Sequence, residues 1–442
     1  DGAHGDCDFW LEPMIPLEYG YAGCGACHTH LQVSNTVHLT DGRNLVERFD
    51  CLACHRIEGR GGSLRPGDAG GMEGPDLSGI GSTGFVSNWY EDHLQRLEAA
   101  NEQAWRDSFG NIGQTDRVVL ERYLNSLVKA PRLIEAKSLF HSRGCRGCHE
   151  IWDVGGDDGP SLTLAGQKPP HQTNYDHVSG EHTLANWHSE HLRNPSKVTP
   201  GSLMPIFDYE EEEIKLLTLY LLSLRESNFP EAYWPQDRIR VVRLHEREFS
   251  TDGPTLYGTF CAACHGPQGE GRDFFDTTPF PAVANLDFVA VATDAFIAES
   301  IRGGRPGRRM PAWNEAEGGL REVEIAEIVR HLREQGGSVE PVVDDRPARW
   351  VQADPELGAT LYEAHCIGCH GPDGDGFDAP QLSNPAFMAA AGDTYLVQTI
   401  AQGRRDTEMP GFQRPTPAYP ALTDTEIESI ATFMRTWEET AE

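Results

Sequence analysis

The chain has no apolar run long enough to cross a bilayer. Its greasiest stretch, Ile214 to Leu224, is too short and too interrupted, so no transmembrane segment is expected. Basic charge is scarce: 37 Lys plus Arg stand against 68 Asp plus Glu, a formal charge of −31 that repels phosphate backbones. No nucleic-acid partner is expected. An acidic surface of this kind suits a basic docking partner or a saline habitat, and serves plain solubility equally well. Aliphatic filling is thin too. Only 38% of the 442 residues are hydrophobic, while Gly (46) and Pro (29) are abundant, which points to several small, loop-rich domains rather than one large core. Something other than aliphatic side chains must help to fill their interiors.

Cysteine supplies the answer. Of eleven, ten form five pairs of identical spacing, each followed at once by histidine: Cys24-Gly-Ala-Cys27-His28, Cys51-Leu-Ala-Cys54-His55, Cys145-Arg-Gly-Cys148-His149, Cys261-Ala-Ala-Cys264-His265 and Cys366-Ile-Gly-Cys369-His370. Two thiols about one helical turn apart can add to the two vinyl groups of a porphyrin, and the adjacent imidazole then lies under the iron. Zinc ribbons and dithiol redox sites also pair cysteines, but neither calls for a histidine next. The pattern predicts five covalently bound haem c groups. Such groups are attached outside the cytoplasm in bacteria, so the expected location is periplasmic or extracellular, with an export leader removed ahead of Asp1-Gly2-Ala3. Cys7 is left over, and its alternatives are an interchain bond, an iron ligand or a small buried side chain.

Two families of repeat organise the chain. Cys261 to Gly271 recurs 105 residues later as Cys366 to Gly376, each copy running Cys-x-x-Cys-His-Gly-Pro-x-Gly-x-Gly. Gly74-Pro75-Asp76-Leu77 with Asn88-Trp89 likewise matches Gly159-Pro160-Ser161-Leu162 with Asn186-Trp187. Apolar-periodic helices close the copies at Asp116 to Leu127, Glu210 to Leu224, Glu322 to Leu332 and Thr423 to Trp437, and acidic residues open several of them, as the helix dipole favours. Asn228 to Phe249 and Ser338 to Gln352 carry Pro and charge without clear periodicity and read as linkers. The domains expected are 1–130 with two haems, then 131–228, 245–337 and 351–442 with one each.

Each unit resembles a class I cytochrome c domain, with a haem-binding helix, a Gly-Pro loop, a methionine-bearing loop and a C-terminal helix. The resemblance implies an all-α fold of tandem class I cytochrome c domains with an N-terminal haem-bearing extension. More narrowly, His191-Leu192-Arg193-Asn194-Pro195 leading to Ser202-Leu203-Met204-Pro205 resembles the single-haem subunit of cbb-type haem-copper oxidases and the cytochrome subunit of nitric oxide reductases. The last two domains are similar to that oxidase's dihaem subunit. Fusion of all the units with a fifth haem departs from both patterns.

An iron with six fixed ligands shuttles electrons, whereas an open position can bind and transform a small molecule. Met204-Pro205, Met310-Pro311 and Met409-Pro410 lie 55, 45 and 39 residues after a motif histidine and resemble the family's methionine loop. Proline holds the preceding residue extended, from where its thioether can reach across the haem face, so these three are expected to complete the third, fourth and fifth irons. Met434 and Met388 read as core fillers. No methionine lies between Met72 and Met204, and Arg106 stands near the place of Met204 in the first unit.

For the first two irons the candidates are His30 and His38, between the two N-terminal motifs; His171, His177 and His182, in an insertion of the second unit; and Met14 or Met72. His93 and its counterpart His191 read as packing residues. Arg302, Arg305, Arg308, Arg309, Arg404 and Arg405 either pair with haem propionates or form an exposed basic patch. The expected function is electron transfer between protein redox partners, as a carrier or subunit of a respiratory or photosynthetic chain. The alternative is a haem enzyme with an open site at one of the two N-terminal irons, for peroxide, nitrogen-oxide or sulfur chemistry.

Overall fold

A computed structural model of the chain describes residues 16, 19, 22–25, 27–28, 37–49, 51–53, 55–57, 60–61, 74–82, 112–127, 133–226, 230–234, 236–274, 279–339, 342, 345–415 and 419–439. The fold is all-α: among the described residues the one two-stranded ladder pairs Arg56–Ile57 with Arg60–Gly61. No helix of the described residues is long and apolar enough to cross a membrane. Two compact units emerge, one from residues up to 137 with 210–223 and 227–249, the other from 138–209, 224–226 and 250–442.

In three places a helix that leads into a Cys-x-x-Cys-His motif crosses the helix that closes its copy. Val37–Arg48 meets Gln114–Ser126, Gly253–Phe260 meets Glu322–Gln335, and Pro355–His365 meets Asp424–Glu439. The leading helices start where the sequence places acceptors for orphan N–H groups: Asp252 accepts from Thr255 N at 2.9 Å and Asp354 from Glu356 N at 2.9 Å, each just ahead of a first-turn proline. The final helix opens on a reciprocal cap, in which Thr423 N donates to Glu426 at 2.7 Å and Glu426 N to Thr423 Oγ1 at 3.3 Å. At the last crossing Gly358 is indispensable, because a Cβ there would fall 2.0 Å from the Ser429 carbonyl oxygen. Tyr362 fills the adjoining space against Phe433 and Trp437.

The Glu211–Ser223 helix is buried on nearly every side, from Ile214 and Leu216 through Leu222 and Ser223. A helix apolar all round needs neighbours all round. One of them, within the first unit, is Ala22–Gly25, which carries the first motif: a Cβ on Gly25 would lie 2.4 Å from that of Ser223. The segment read as the first linker instead contains a helix, Gln236–Leu244. Its apolar residues Ile239, Val241, Val242 and Leu244 crowd one end without a clean period, and pairs from Arg240 to Glu246 and from Arg243 to Glu231 hold it. The second linker is pinned at its end, where Arg349 donates to Met388 O at 2.7 Å and to Glu438 at 2.8 Å.

The last two copies meet through contacts that repeat in both directions. Asn285 caps Leu286–Val291 and donates from Nδ2 to Arg405 O at 2.6 Å; Asn384 caps Pro385–Ala390 and donates to Pro306 O at 2.9 Å. Arg305 lies over Phe387 at 5.5 Å, and Arg404 over Phe288 at 5.6 Å. Phe288, Phe296, Phe387 and Tyr395 form the shared aromatic core, closest between Phe296 and Tyr395 with centroids 4.3 Å apart. Each copy thus contributes the same positions to the junction, as a duplicated domain would.

Candidate haem sites

All five motifs fold as one tight turn. The histidine N–H donates to the first cysteine's carbonyl in each: His28 to Cys24 at 2.9 Å, His55 to Cys51 at 2.9 Å, His149 to Cys145 at 3.1 Å, His265 to Cys261 at 2.9 Å and His370 to Cys366 at 3.0 Å. Cys54 and His30 lie outside the described residues. So do Cys7, Met14, Met72, His93 and Arg106, and the side chain of His38.

Four of the histidines share a second feature. Nδ1 bonds a proline carbonyl: His55 to Pro75 at 2.9 Å, His149 to Pro160 at 2.8 Å, His265 to Pro281 at 2.8 Å and His370 to Pro380 at 2.9 Å. A carbonyl can only accept, so the proton sits on Nδ1 and the Nε2 lone pair is left for a metal. In the first two cases the residue before the proline is a glycine packed flat on the imidazole. A Cβ on Gly74 or Gly159 would come within 2.5 Å or 2.6 Å of Nδ1. Burial keeps His149, His265 and His370 below the ordinary imidazole range, which favours the neutral form that ligates.

The thiols of Cys145, Cys261 and Cys366 are each pushed up to about 12 by burial. Thioether formation needs a thiolate, so these sulfurs are fit to react before they are enclosed. The donor set as a whole fits haem c: two thiols on one turn, and an imidazole whose tautomer is fixed by the main chain.

The three methionines lie half-buried in extended loops. Arg305 N donates to Met310 O at 2.8 Å, and Arg404 N to Met409 O at 2.9 Å, so both loops close identically; Met204 N donates to Ser202 Oγ at 3.2 Å. His171, His177 and His182 are exposed, and His182 stacks on Tyr175. His191 stacks on Trp187 at 4.8 Å, and its Nδ1 lies in hydrogen-bond contact with Thr199 Oγ1 at 3.4 Å, a packing role.

Most of the arginines are engaged by named partners, although Arg308 and Arg405 stay exposed. Arg302 pairs with Glu322 at 2.7 Å, Arg309 with Asp158 at 2.6 Å and Arg405 with Asp287 at 2.8 Å, while Arg308 reaches Gln381 at 2.9 Å. Arg305 and Arg404 differ, spending their hydrogen bonds on carbonyl and hydroxyl oxygens rather than on carboxylates. Arg305 donates to Gly304 O and Ser300 Oγ, Arg404 to Thr399 Oγ1 and Asp287 O. Those two guanidiniums suit haem propionates.

Sequence reasoning did not single out His188. It is buried, Nε2 donates to Ala165 O at 3.0 Å, and burial pulls its pKa down to about 4. The unfolded chain binds a proton there below pH 6.5 that the folded chain refuses until about pH 4. Stability is therefore complete above pH 6.5 and declines as pH falls toward 4, by about 3 kcal/mol in all. Urea unfolding of His188→Gln is expected to be flatter between pH 6.5 and 4.5 than that of the parent; equal slopes would refute this.

Comparison with known proteins agrees with this geometry. The family described as cytochrome c matches residues 134–225 and 355–438, and the family described as cytochrome c oxidase, cbb3-type, subunit III matches 250–332. The chain is 28% identical over 171 residues to the cbb3-type cytochrome c oxidase subunit FixP of Bradyrhizobium diazoefficiens, covering 36% of this chain and 53% of that protein. It is 32% identical over 133 residues to the subunit CcoP of Rubrivivax gelatinosus, covering 30% and 37%. The chain thus spans about half the length, or less, of these two relatives. Among solved structures, a component of the reducing HAO-like protein complex of Kuenenia stuttgartiensis aligns over 42% of this chain and 94% of its own, at 21% identity and a TM-score of 0.30. Thiosulfate dehydrogenase from Marichromatium purpuratum aligns over 90% of both chains at 17% identity and a TM-score of 0.22. Superpositions this loose say nothing about function. At residues 134–225, 250–332 and 355–438 the chain thus carries tandem class I cytochrome c domains, the kind that hold covalent haem c.

Proposed function

We propose that this chain is a pentahaem cytochrome, passing electrons between protein partners outside the cytoplasm. His28, His55, His149, His265 and His370 serve as the proximal ligands. Each of the five cysteine pairs, from Cys24 and Cys27 to Cys366 and Cys369, holds one porphyrin. Met204, Met310 and Met409 complete the last three irons, with His30 and His38 the candidates for the first two. The observation that carries this reading is the repeated Nδ1 bond to a proline carbonyl, found at one motif that no family profile covers (His55) as well as at three that are covered. Such a bond raises the basicity of the ligating nitrogen and fixes the ring.

Bound haem supplies one-electron chemistry; the polypeptide sets potentials through ligand choice and burial. His/Met ligation raises the potential relative to bis-histidine ligation, so electrons run from the N-terminal end toward the last three domains. A membrane respiratory complex is the favoured partner, since the relatives are subunits of cbb3-type cytochrome c oxidases. Intact-mass measurement of the mature chain is expected to find five added macrocycles; four or fewer would refute the count.

The missing methionine between Met72 and Met204 favours one second reading, a haem enzyme open at an N-terminal iron. Carbon monoxide added to the reduced protein discriminates. Five inert haems support the carrier, whereas one that binds readily supports the enzyme.

A further inference from the structure

The motifs at 145–149 and 261–265 belong to different cytochrome domains of the same compact unit, yet they abut. An added Cβ on Gly144 would lie 2.5 Å from Ala263 N, and one on Gly147 would lie 2.8 Å from Phe260 O. The side chains of Cys148 and Cys264 are within hydrogen-bond reach of one another. Main-chain contact continues along the seam, where Gly155 N donates to Gly318 O at 3.3 Å.

An ion pair runs across it. Arg309 grips Asp158 Oδ2 from Nε at 2.9 Å and from a terminal nitrogen at 2.6 Å, with both side chains largely enclosed, at 27% and 19% exposure. Asp158 immediately precedes the glycine that packs on His149, and Arg309 immediately precedes Met310. The bridge thus ties the proximal-histidine loop of one domain to the methionine loop of the next.

We infer that the haems held by Cys145 and Cys148 and by Cys261 and Cys264 form a directly coupled pair, with the Asp158–Arg309 bridge as its clamp. The inference rests on the haem attachment proposed above. A sulfur that bonds a porphyrin marks that porphyrin's edge, and here two such sulfurs face each other across the seam. Electron tunnelling falls steeply with edge separation, so this seam makes a short gap between these two haems. The step moves one electron from the ferrous iron of one haem to the ferric iron of the other. No bond breaks and no proton moves. The electron enters from a one-electron donor protein and leaves to an oxidising one. Asp158 and Arg309 are positioning residues: they touch neither iron and act by holding two domains in register. A largely enclosed pair, in which two guanidinium nitrogens share one carboxylate oxygen, is strong enough for that, where an exposed one would not be.

The test uses the full-length holoprotein. Circular dichroism in the Soret region reads excitonic coupling between neighbouring haems, and intact mass reads how many are attached. Wild type is expected to give a bisignate signal. Arg309→Gln and Asp158→Asn should each lose most of that amplitude at unchanged haem mass and unchanged helix content, while Arg309→Lys, which keeps the charge, should retain a larger share. Cys366→Ser with Cys369→Ser removes a haem from outside the pair and should leave the signal's main lobe in place. Cys261→Ser with Cys264→Ser should abolish it. A wild-type spectrum without a couplet at full haem mass, or a couplet indifferent to both clamp variants, would overturn the coupled pair. A mass lacking the macrocycles would instead overturn the haem assignment itself.

Discussion

Asp393→Ala is expected to destabilise the C-terminal domain by about 3–5 kcal/mol, while the same substitution at Asp294 costs less than about 1 kcal/mol. The two aspartates occupy matching positions in duplicated domains, and each meets the matching arginine of the closing helix. Asp393 contacts Arg435 at 2.7 Å, and Asp294 contacts Arg333 at 2.8 Å. Their surroundings set them apart. Asp393 is 1% exposed and also accepts the Val351 N–H at 2.7 Å, so its loss takes one of two carboxylates from the largely buried Arg435, which keeps Glu438 at 2.8 Å, and leaves buried amides without an acceptor. Asp294 is 72% exposed, and water replaces it readily. Separate unfolding transitions, followed by each domain's haem absorbance in urea, would measure both. Equal losses at the two sites would contradict the burial argument.

Met310→His is expected to lower one haem's reduction potential by on the order of 0.2 V, a fraction of the ~0.8 V range that axial ligands command. The loop that presents Met310 is closed by its own main chain, through Arg305 N on Met310 O, so a replacement side chain is offered to the same place. Spectroelectrochemical titration of the holoprotein should show one component leave the high-potential group. The other two His/Met components should stay where they were. An unaltered titration would remove Met310 from the ligand set.

Much of this was legible in the residues because the chemistry is local. A haem attachment turn spans five consecutive positions, and a methionine followed by proline announces an extended loop. The all-α class came with the family resemblance, and the closing helices read from the sequence match the observed limits to within three residues. What stayed hidden was long-range or carried by the main chain. The carbonyls of Pro75, Pro160, Pro281 and Pro380 sit 20, 11, 16 and 10 residues beyond their histidines, a spacing too variable to form a motif. The Gly-Pro repeat at 74–75 and 159–160 was visible as a loop, but nothing in it names its imidazole. The arginines were read as one group, whereas the fold sorts them by partner. Arg309 turns to Asp158, 151 positions away, and Arg305 to its own loop. The helix at Gln236–Leu244 escaped notice because its apolar residues do not form a stripe.

The acceptor of the Nδ1 proton at His55, His149, His265 and His370 is a peptide carbonyl, which no side-chain substitution deletes. Inheritance of ligand basicity is thereby uncoupled from side-chain identity around the iron. Lineages of such domains can drift far in sequence, and can be copied and fused end to end, while the electronic character of the metal's fifth bond passes unchanged from copy to copy.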